Sequence, residues 1–272
     1  MELRFSPLFS GSSGNAIYVG CDTTHLLVDA GMSGTRVAQA LSAIGVAPGE
    51  LSGILVTHEH VDHIRGIGVL SRKHDLPIFA TEGTWQGMHD KIGAIAERNV
   101  RIIETESNFH LGEIEIMAFP TPHDAGGPCG YTFEMGAAKF ALATDIGCVR
   151  ESWMKYVVGA DAVLLESNYD PDMLQAGPYP YDLKKRILSR HGHLSNDEAA
   201  LTAMKLVENG ARTIVLGHLS KENNFPELAL QTTTGYLECN GVDTEDDVLV
   251  RVALRDAPTG IFSVQTEFGS SR

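Results

Sequence analysis

Thr57-His58-Glu59-His60-Val61-Asp62-His63 follows directly on the apolar run Ile54-Leu55-Val56. Three histidines and one aspartate fall within six residues. Side chains alternate in an extended segment, so His58 and His60 point to the same side and can approach one metal ion together. Asp62 and His63, adjacent in sequence, can turn toward a second ion as the chain bends into the helix expected next. Neutral imidazole and carboxylate are zinc-type ligands, with bonds of roughly 2.0–2.2 Å. One histidine near a strand end is usually solvated or hydrogen-bonded. A cluster at H-x-H-x-D-H spacing, between a β-like run and a helix, instead supplies most of a two-metal centre.

Working outward, more candidate ligands stand at strand ends. His123, in Pro120-Thr121-Pro122-His123-Asp124-Ala125-Gly126-Gly127-Pro128, suits a third ligand for the His58/His60 ion. Phe140-Ala141-Leu142-Ala143 reads as a strand that ends in Thr144-Asp145-Ile146-Gly147. A carboxylate at Asp145 can bridge both metals and leave a water or hydroxide between them, a strong nucleophile because bound metal lowers the pKa of water toward ~7. The competing role for Asp145 is a cap on the helix starting near Glu151, several residues away. Thr213-Ile214-Val215-Leu216 is the last strong strand, and His218 beyond it suits the Asp62/His63 site. Asp29, before Ala30-Gly31, reads either as a carboxylate supporting the site or as a turn residue. His74 and His89 lie outside any ligand pattern and are expected on the surface or in the core.

At 272 residues, with 43% hydrophobic and 21% charged residues, the chain has the composition of a soluble globular protein with ample core. No stretch approaches the ~18 unbroken apolar residues of a membrane span, and Met1 to Pro7 lacks the features of a signal peptide. A cytoplasmic location is the expectation. Cys21, Cys129, Cys148 and Cys239 are scattered without a C-x-x-C pair, which suits free thiols in a reducing compartment. The net charge of -14 argues against broad nonspecific binding to nucleic acid but leaves room for a local basic groove. One such groove is suggested by Lys184, Lys185, Arg186 and Arg190, the only dense basic run, read either as a solvated helix face or as contacts to a phosphate backbone.

Strands are expected over Leu3 to Leu8, Ala16 to Val19, His25 to Asp29 and Ala162 to Leu165. A run of antiparallel strands is expected over Ile102-Ile103, Phe109 to Leu111 and Ile114 to Phe119. Ser10-Gly11-Ser12-Ser13-Gly14-Asn15 reads as a hairpin connection, with a phosphate cradle as the alternative. Apolar residues at helical spacing place helices from Gly34, around Gly66 to His74, and after Asn196, its expected cap. A last helix over Pro226 to Leu237 and a closing strand over Val248 to Leu254 complete the chain. No internal linker is visible, and a single domain over 1–272 is expected.

The ordered set His58/His60/Asp62/His63, His123, Asp145 and His218 resembles the ligand series of the metallo-β-lactamase superfamily. That resemblance covers nearly the whole chain and implies an α/β fold, the four-layer αββα sandwich, with a di-metal site at the sheet edge. It implies one metal on His58, His60 and His123, a second on Asp62, His63 and His218, and Asp145 bridging. Ser10 to Asn15, Thr121 to Ala125, Glu166-Ser167-Asn168-Tyr169-Asp170, Gly192 to Asn196 and His218 to Asn224 are most similar to the YycJ/WalJ-like branch, related to tRNase Z and ribonuclease J. Its members often carry histidine where this sequence has Tyr169. The resemblance implies two divalent ions (zinc, manganese or iron), a nucleic acid substrate, DNA foremost, and 5′-to-3′ exonuclease action by attack of a metal-bridging hydroxide on the scissile phosphate. It further implies catalytic roles for Asp62, which orients the water, and for Glu166 paired with His193 near the leaving oxygen. Substrate contacts are expected from Lys184, Lys185, Arg186, Arg190, Ser220 and Asn223.

Two other readings compete. One is a small-molecule metallohydrolase for thioesters or lactones, similar to glyoxalase II, although glyoxalase II continues into a helical segment where this chain returns to strands. The other is a metal-dependent binding module with little turnover.

Overall fold

Residues 2–264 are described by the structure, a computed structural model. The apolar runs pair into two seven-stranded sheets. The first holds β1 (Arg4–Phe9), β2 (Ala16–Gly20), β3 (His25–Val28), β4 (Gly53–Leu55), β5 (Ile78–Ala80) and β6 (Val100–Ile102) in that order. The second runs from β7 (Asn108–Leu111) through β8 (Ile114–Pro120), β9 (Cys129–Met135), β10 (Ala138–Ala143), β11 (Ala162–Glu166) and β12 (Thr213–Gly217) to β13 (Leu249–Val252). A short β14 (Phe262–Ser263) adds to the outer edge of β1.

Strands β1 to β5 and β10 to β12 are buried along most of their length on both faces, so they read as continuous apolar runs, whereas β7 and β8 alternate. Phe5, Leu26, Val28 and Leu55 of the first sheet interlock with Phe133, Phe140, Leu142 and Leu164 of the second. Phe5 stacks on Phe140 across this interface, with ring centroids 4.1 Å apart. The intervening residues point outward. Leu27 and Ile54 meet helices α1 (Gly34–Ala43), α3 (Ile67–His74) and α4 (Glu82–Ile92), with the short α2 (Val61–Ile64) just before α3. Ala141, Val163, Leu165 and Ile214 meet α5 (Glu151–Val157), α8 (Asn196–Glu208) and α9 (Pro226–Cys239). The result is the expected four-layer αββα sandwich. Between β11 and α8 stand two further helices, α6 (Pro171–Ala176) and α7 (Tyr181–Ile187), with a small apolar cluster of their own.

Two expectations need correction. Ile102 lies in β6, which pairs in parallel with β5 at the edge of the first sheet, so the antiparallel run begins only at β7. The chain changes sheets between Ile103 and Asn108, a crossing that hydrophobic alternation does not reveal. Ser195, not Asn196, caps α8: its side chain accepts from Glu198 N while Glu198 reaches back to Ser195 N, a reciprocal capping box. Asn196 is buried and donates to Asn224 Oδ1 while accepting from Ser167 Oγ. Helix α4 escaped notice because Gly83 and Gly87 weaken its pattern, although Thr81 caps it through Thr84 N.

Candidate metal centre and its cleft

In both sheets the strands nearest the site run parallel, β3 beside β4 and β10 beside β11 beside β12. Their carboxyl ends open together at one edge of the sandwich, where loops carry side chains into a common crevice. Asp29 follows β3, His58 to His63 follow β4, His123 follows β8, Asp145 follows β10, Glu166 ends β11, and His218 follows β12.

Asp29 (φ 60°), Asp145 (φ 58°) and His218 (φ 57°) all occupy the left-handed region. Non-glycine residues there are uncommon, and such conformations cluster at functional sites where surrounding structure holds them. Each turns the backbone abruptly at a strand end and throws its side chain inward. Gly31 lets the Asp29 loop sit directly on α2: a Cβ at that position would lie 1.6 Å from the Asp62 carbonyl oxygen.

The ligand-type atoms gather into overlapping groups, each with its atoms within 4.8 Å of one another. His58, His60 and His123 form one, and Asp62, His63 and His218 another. Asp145 links them, grouped with His58 and His63 on one side and with Glu166, His193 and His218 on the other. His58 Nε2 lies 3.0 Å from His60 Nδ1, and His123 Nε2 lies 3.4 Å from the same atom. Asp145 stands 3.6 Å from His63 Nε2 and 3.7 Å from His123 Nε2.

The outward-facing ring nitrogens are occupied, which fixes the rings. Nδ1 of His123 meets the Gly192 carbonyl at 3.1 Å, Nδ1 of His58 meets Thr57 Oγ1 at 3.0 Å, and Nδ1 of His63 meets Asp29 Oδ2 at 2.8 Å. Asp29 also accepts from Thr57 N and Thr57 Oγ1, each at 2.8 Å. Partners of this kind orient ligating histidines and leave Nε2 toward the metal. Asp29 is therefore a supporting carboxylate, not a turn residue.

The charges show what the site is built to hold. Burial lowers His58 well below the usual imidazole range, helped by the charge of His63, and burial likewise lowers His123. Burial also disfavours the charged form of His63, but Asp145, Asp29 and Asp62 overcome it and raise His63 to about 9. His218 is raised well above its usual value because Asp145 and Glu166 outweigh its burial. Burial would raise Asp145, yet His218, His63 and His58 hold it well below the carboxylate range. Without a metal, protons on His63 and His218 supply the positive charge that the carboxylates require.

Two buried atoms also go unserved. Asp145 Oδ2 has no hydrogen-bond partner, and His218 Nδ1 lies 3.1 Å from Asp145 Oδ1 without hydrogen-bond alignment. Each such atom costs roughly 1–3 kcal/mol when left unpaired. Imidazole nitrogens, carboxylate oxygens and the unpaired, buried Asp145 Oδ2 fit divalent cations.

Beside the ligands, Glu166 is fully buried. One oxygen accepts from His193 Nδ1 at 2.8 Å, and the other accepts from Ile146 N at 2.9 Å and Leu194 N at 3.1 Å. Burial pushes this carboxyl up, but His193 and His218 hold it at about 2. His193 is 20% exposed and lines the cleft with Asp62, which is 27% exposed.

Of the four cations in the basic run, Arg186 alone lines this cleft, with its Nε on Asp124 Oδ2. Lys184 donates instead to the Gln175 carbonyl, and Lys185 and Arg190 are exposed away from the cleft lining. Ser220 lines the cleft, whereas Asn223 is buried at 0% exposure and donates to Ser220 Oγ at 3.3 Å. Ser12 at the rim was not among the expected contacts, although its glycine- and serine-rich loop had marked the segment.

Residues 24–219 match the family model described as the beta-lactamase superfamily domain. The chain is 44% identical to the exodeoxyribonuclease YycJ of Bacillus anthracis over 241 residues, 89% of this chain and 91% of that one. It is 42% identical to the exodeoxyribonuclease WalJ of Streptococcus pneumoniae over 236 residues, 86% and 88% of the two chains. The metallo-beta-lactamase fold protein YhfI from Bacillus subtilis superposes with a TM-score of 0.73 over 97% of this chain and 100% of its own, at 16% identity. The chain thus belongs to the β-lactamase superfamily, in its YycJ/WalJ branch, and is a metal-dependent hydrolase.

Proposed function

We propose that this protein is a cytoplasmic 5′-to-3′ DNA exonuclease that works with two divalent ions, zinc, manganese or iron. The observation that carries this reading is the 44% identity to an exodeoxyribonuclease, which extends over 91% of that relative's length. The ions would be held by His58, His60 and His123 and by Asp62, His63 and His218, with Asp145 between them. Bound there, they would supply Lewis acidity, polarising phosphoryl oxygens and bringing the pKa of water toward ~7.

The chain's own residues account for the rest. Asp62, partly exposed to the cleft, accepts a hydrogen bond from the attacking water and so orients it. His193 has Nδ1 on Glu166 at 2.8 Å, so its Nε2 is presented to the cleft, where it can give a proton to the leaving oxygen. Glu166 fixes that ring through a carboxylate pinned by two backbone N–H groups. Arg186 is the cation placed to take a phosphate, exchanging Asp124 for it. Thioester hydrolysis is less supported: beyond Asp145 the chain adds β11, β12 and β13 to the second sheet and brings Glu166, His193 and His218 back to the cleft.

The test is digestion of end-labelled DNA and RNA with manganese or zinc, beside an Asp145→Ala control. Stepwise loss of DNA from the 5′ end, absent in the control, is expected. Cleavage of neither nucleic acid, together with thioester hydrolysis, would move the function to a small-molecule hydrolase.

A further inference from the structure

Part of the cleft is apolar, and none of the steps above uses it. It comes from the segment between β11 and α8, where α6, the turn Gly177-Pro178-Tyr179-Pro180 and α7 follow one another. Tyr179, Leu183 and Ile187 line the cleft together with the metal-site residues. They pack with Tyr169 and Leu174 in a cluster separate from the three main cores.

The turn holds Tyr179 in place. Prolines on both sides fix φ near about −65° at their own positions, and Pro180 excludes helical backbone at Tyr179. Pro180 also stands as the N-cap of α7, with φ -56° and ψ 149°. Gly177 donates to the Met173 carbonyl at 2.7 Å, and a Cβ there would come within 2.7 Å of Asn223 Oδ1, so the turn is wedged against the loop after β12. Tyr179 is half-buried, and its hydroxyl makes no hydrogen bond among the described residues. A phenol ring carried on a proline-flanked turn, packed on apolar neighbours and lining a cleft is suited to stacking.

Size and charge narrow the occupant. The cleft encloses about 340 Å³, at the small end of the roughly 300–1,000 Å³ range of pockets that take one small ligand. That is room for one nucleotide within the cleft itself. Arg186, three residues along α7 from Leu183, brings the cation for a phosphate into the same space. We propose that the terminal nucleotide enters unpaired, with its base stacked on Tyr179 and its phosphate between Arg186 and the metal ligands. Tyr179 then detects whether the end being trimmed carries a base, and does so with little sequence preference because every base has a π-face. This rests on the nuclease reading above.

The experiment uses manganese-loaded protein and single-stranded DNA oligonucleotides that end in an ordinary nucleotide or in an abasic tetrahydrofuran residue. The change is placed at the 5′ end in one set and at the 3′ end in the other. Wild type, Tyr179→Ala, Tyr179→Leu, Tyr179→Phe and Tyr181→Ala are compared by KM and kcat, and by fluorescence anisotropy of the same oligonucleotides on metal-free protein. At the trimmed end, the abasic residue is expected to raise wild-type KM by about 5- to 150-fold, the size of a lost base–aromatic stack. Tyr179→Ala and Tyr179→Leu should show that loss on ordinary ends and no further loss on abasic ends. Tyr179→Phe should stay near wild type, as should Tyr181→Ala, whose side chain is 79% exposed outside the cleft. Tyr179→Leu keeps the apolar volume and carries the test if the alanine protein does not fold. Continued cleavage with no difference between ends, or between Tyr179→Leu and wild type, overturns the stacking site and leaves the nuclease reading intact. Cleavage of neither DNA nor RNA by wild type overturns both.

Discussion

Asp29 Oδ2 lies 2.8 Å from His63 Nδ1, and both side chains are 1% exposed. This contact turns the opposite nitrogen of His63 toward Asp145 and Asp62. Replacing Asp29 by asparagine tolerates the left-handed backbone at φ 60° while removing the charge. Metal affinity should fall by about 10- to 100-fold, the usual effect of losing a partner that orients a ligand. Competition with a chromogenic chelator measures it, and unchanged affinity would show that Asp29 is only a structural brace.

Metal uptake should release protons. His63 sits at about 9 in the metal-free protein, and His218 is also raised, so both carry protons at neutral pH. A metal must displace them, and apparent affinity should therefore climb as pH rises toward about 9, where His63 loses its proton. The sign for stability is opposite. A folded-state pKa raised above the unfolded value of ~6.5 stabilises the metal-free protein fully below that pH. The contribution disappears as pH rises through about 9. Thermal melts in chelator from pH 6 to 9.5, with proton release followed in weak buffer, check both signs.

His193→Ala should lower kcat by about 10²- to 10⁴-fold, the range for a lost general acid. Bound metal should stay the same, because His193 Nδ1 is taken by Glu166 and the residue belongs to neither the His58/His60/His123 nor the Asp62/His63/His218 group. Elemental analysis beside the kinetics separates the two effects. Parallel loss of metal and activity would make His193 a ligand instead.

Arg186→Ala should weaken DNA binding and reduce the slope of log affinity against log salt by about one unit or less, as expected for one phosphate contact. Lys185→Ala, removing a cation outside the cleft lining, should change that slope less. Equal effects would return the basic run to the role of a diffuse field.

Phe140 is fully buried between Phe5 and Phe133, at centroid distances of 4.1 and 5.7 Å. Its replacement by alanine should cost about 3–5 kcal/mol in denaturant unfolding, the range for an aromatic removed from a packed core. A smaller loss would mean that the two sheets close over the gap.

The candidate ligands were legible because chemistry concentrates them: H-x-H-x-D-H does not suit a core, and His123, Asp145 and His218 each follow an apolar run. Asp29 stayed ambiguous because a lone aspartate before Ala30-Gly31 suits a turn as well as a support, and only its contact with His63 decides. Nothing in residue type announces the left-handed backbone at Asp145 and His218, which depends on tertiary packing. The basic run could be counted but not aimed, since Arg186 lines the cleft while its neighbour Lys185 does not. Tyr179 carries no ligand pattern in the sequence, and its exposure to the site depends on the wedge at Gly177.

The order of the ligands along the chain has a consequence for biosynthesis. His58, His60 and His123 leave the ribosome well before β11 and β12 exist, whereas the Asp62/His63/His218 group needs residue 218 and the strand preceding it. A nascent chain can thus offer one trio of ligands early but cannot present the second until four-fifths of its length has been made. The second candidate group therefore forms only on a chain whose second sheet is in place through β12.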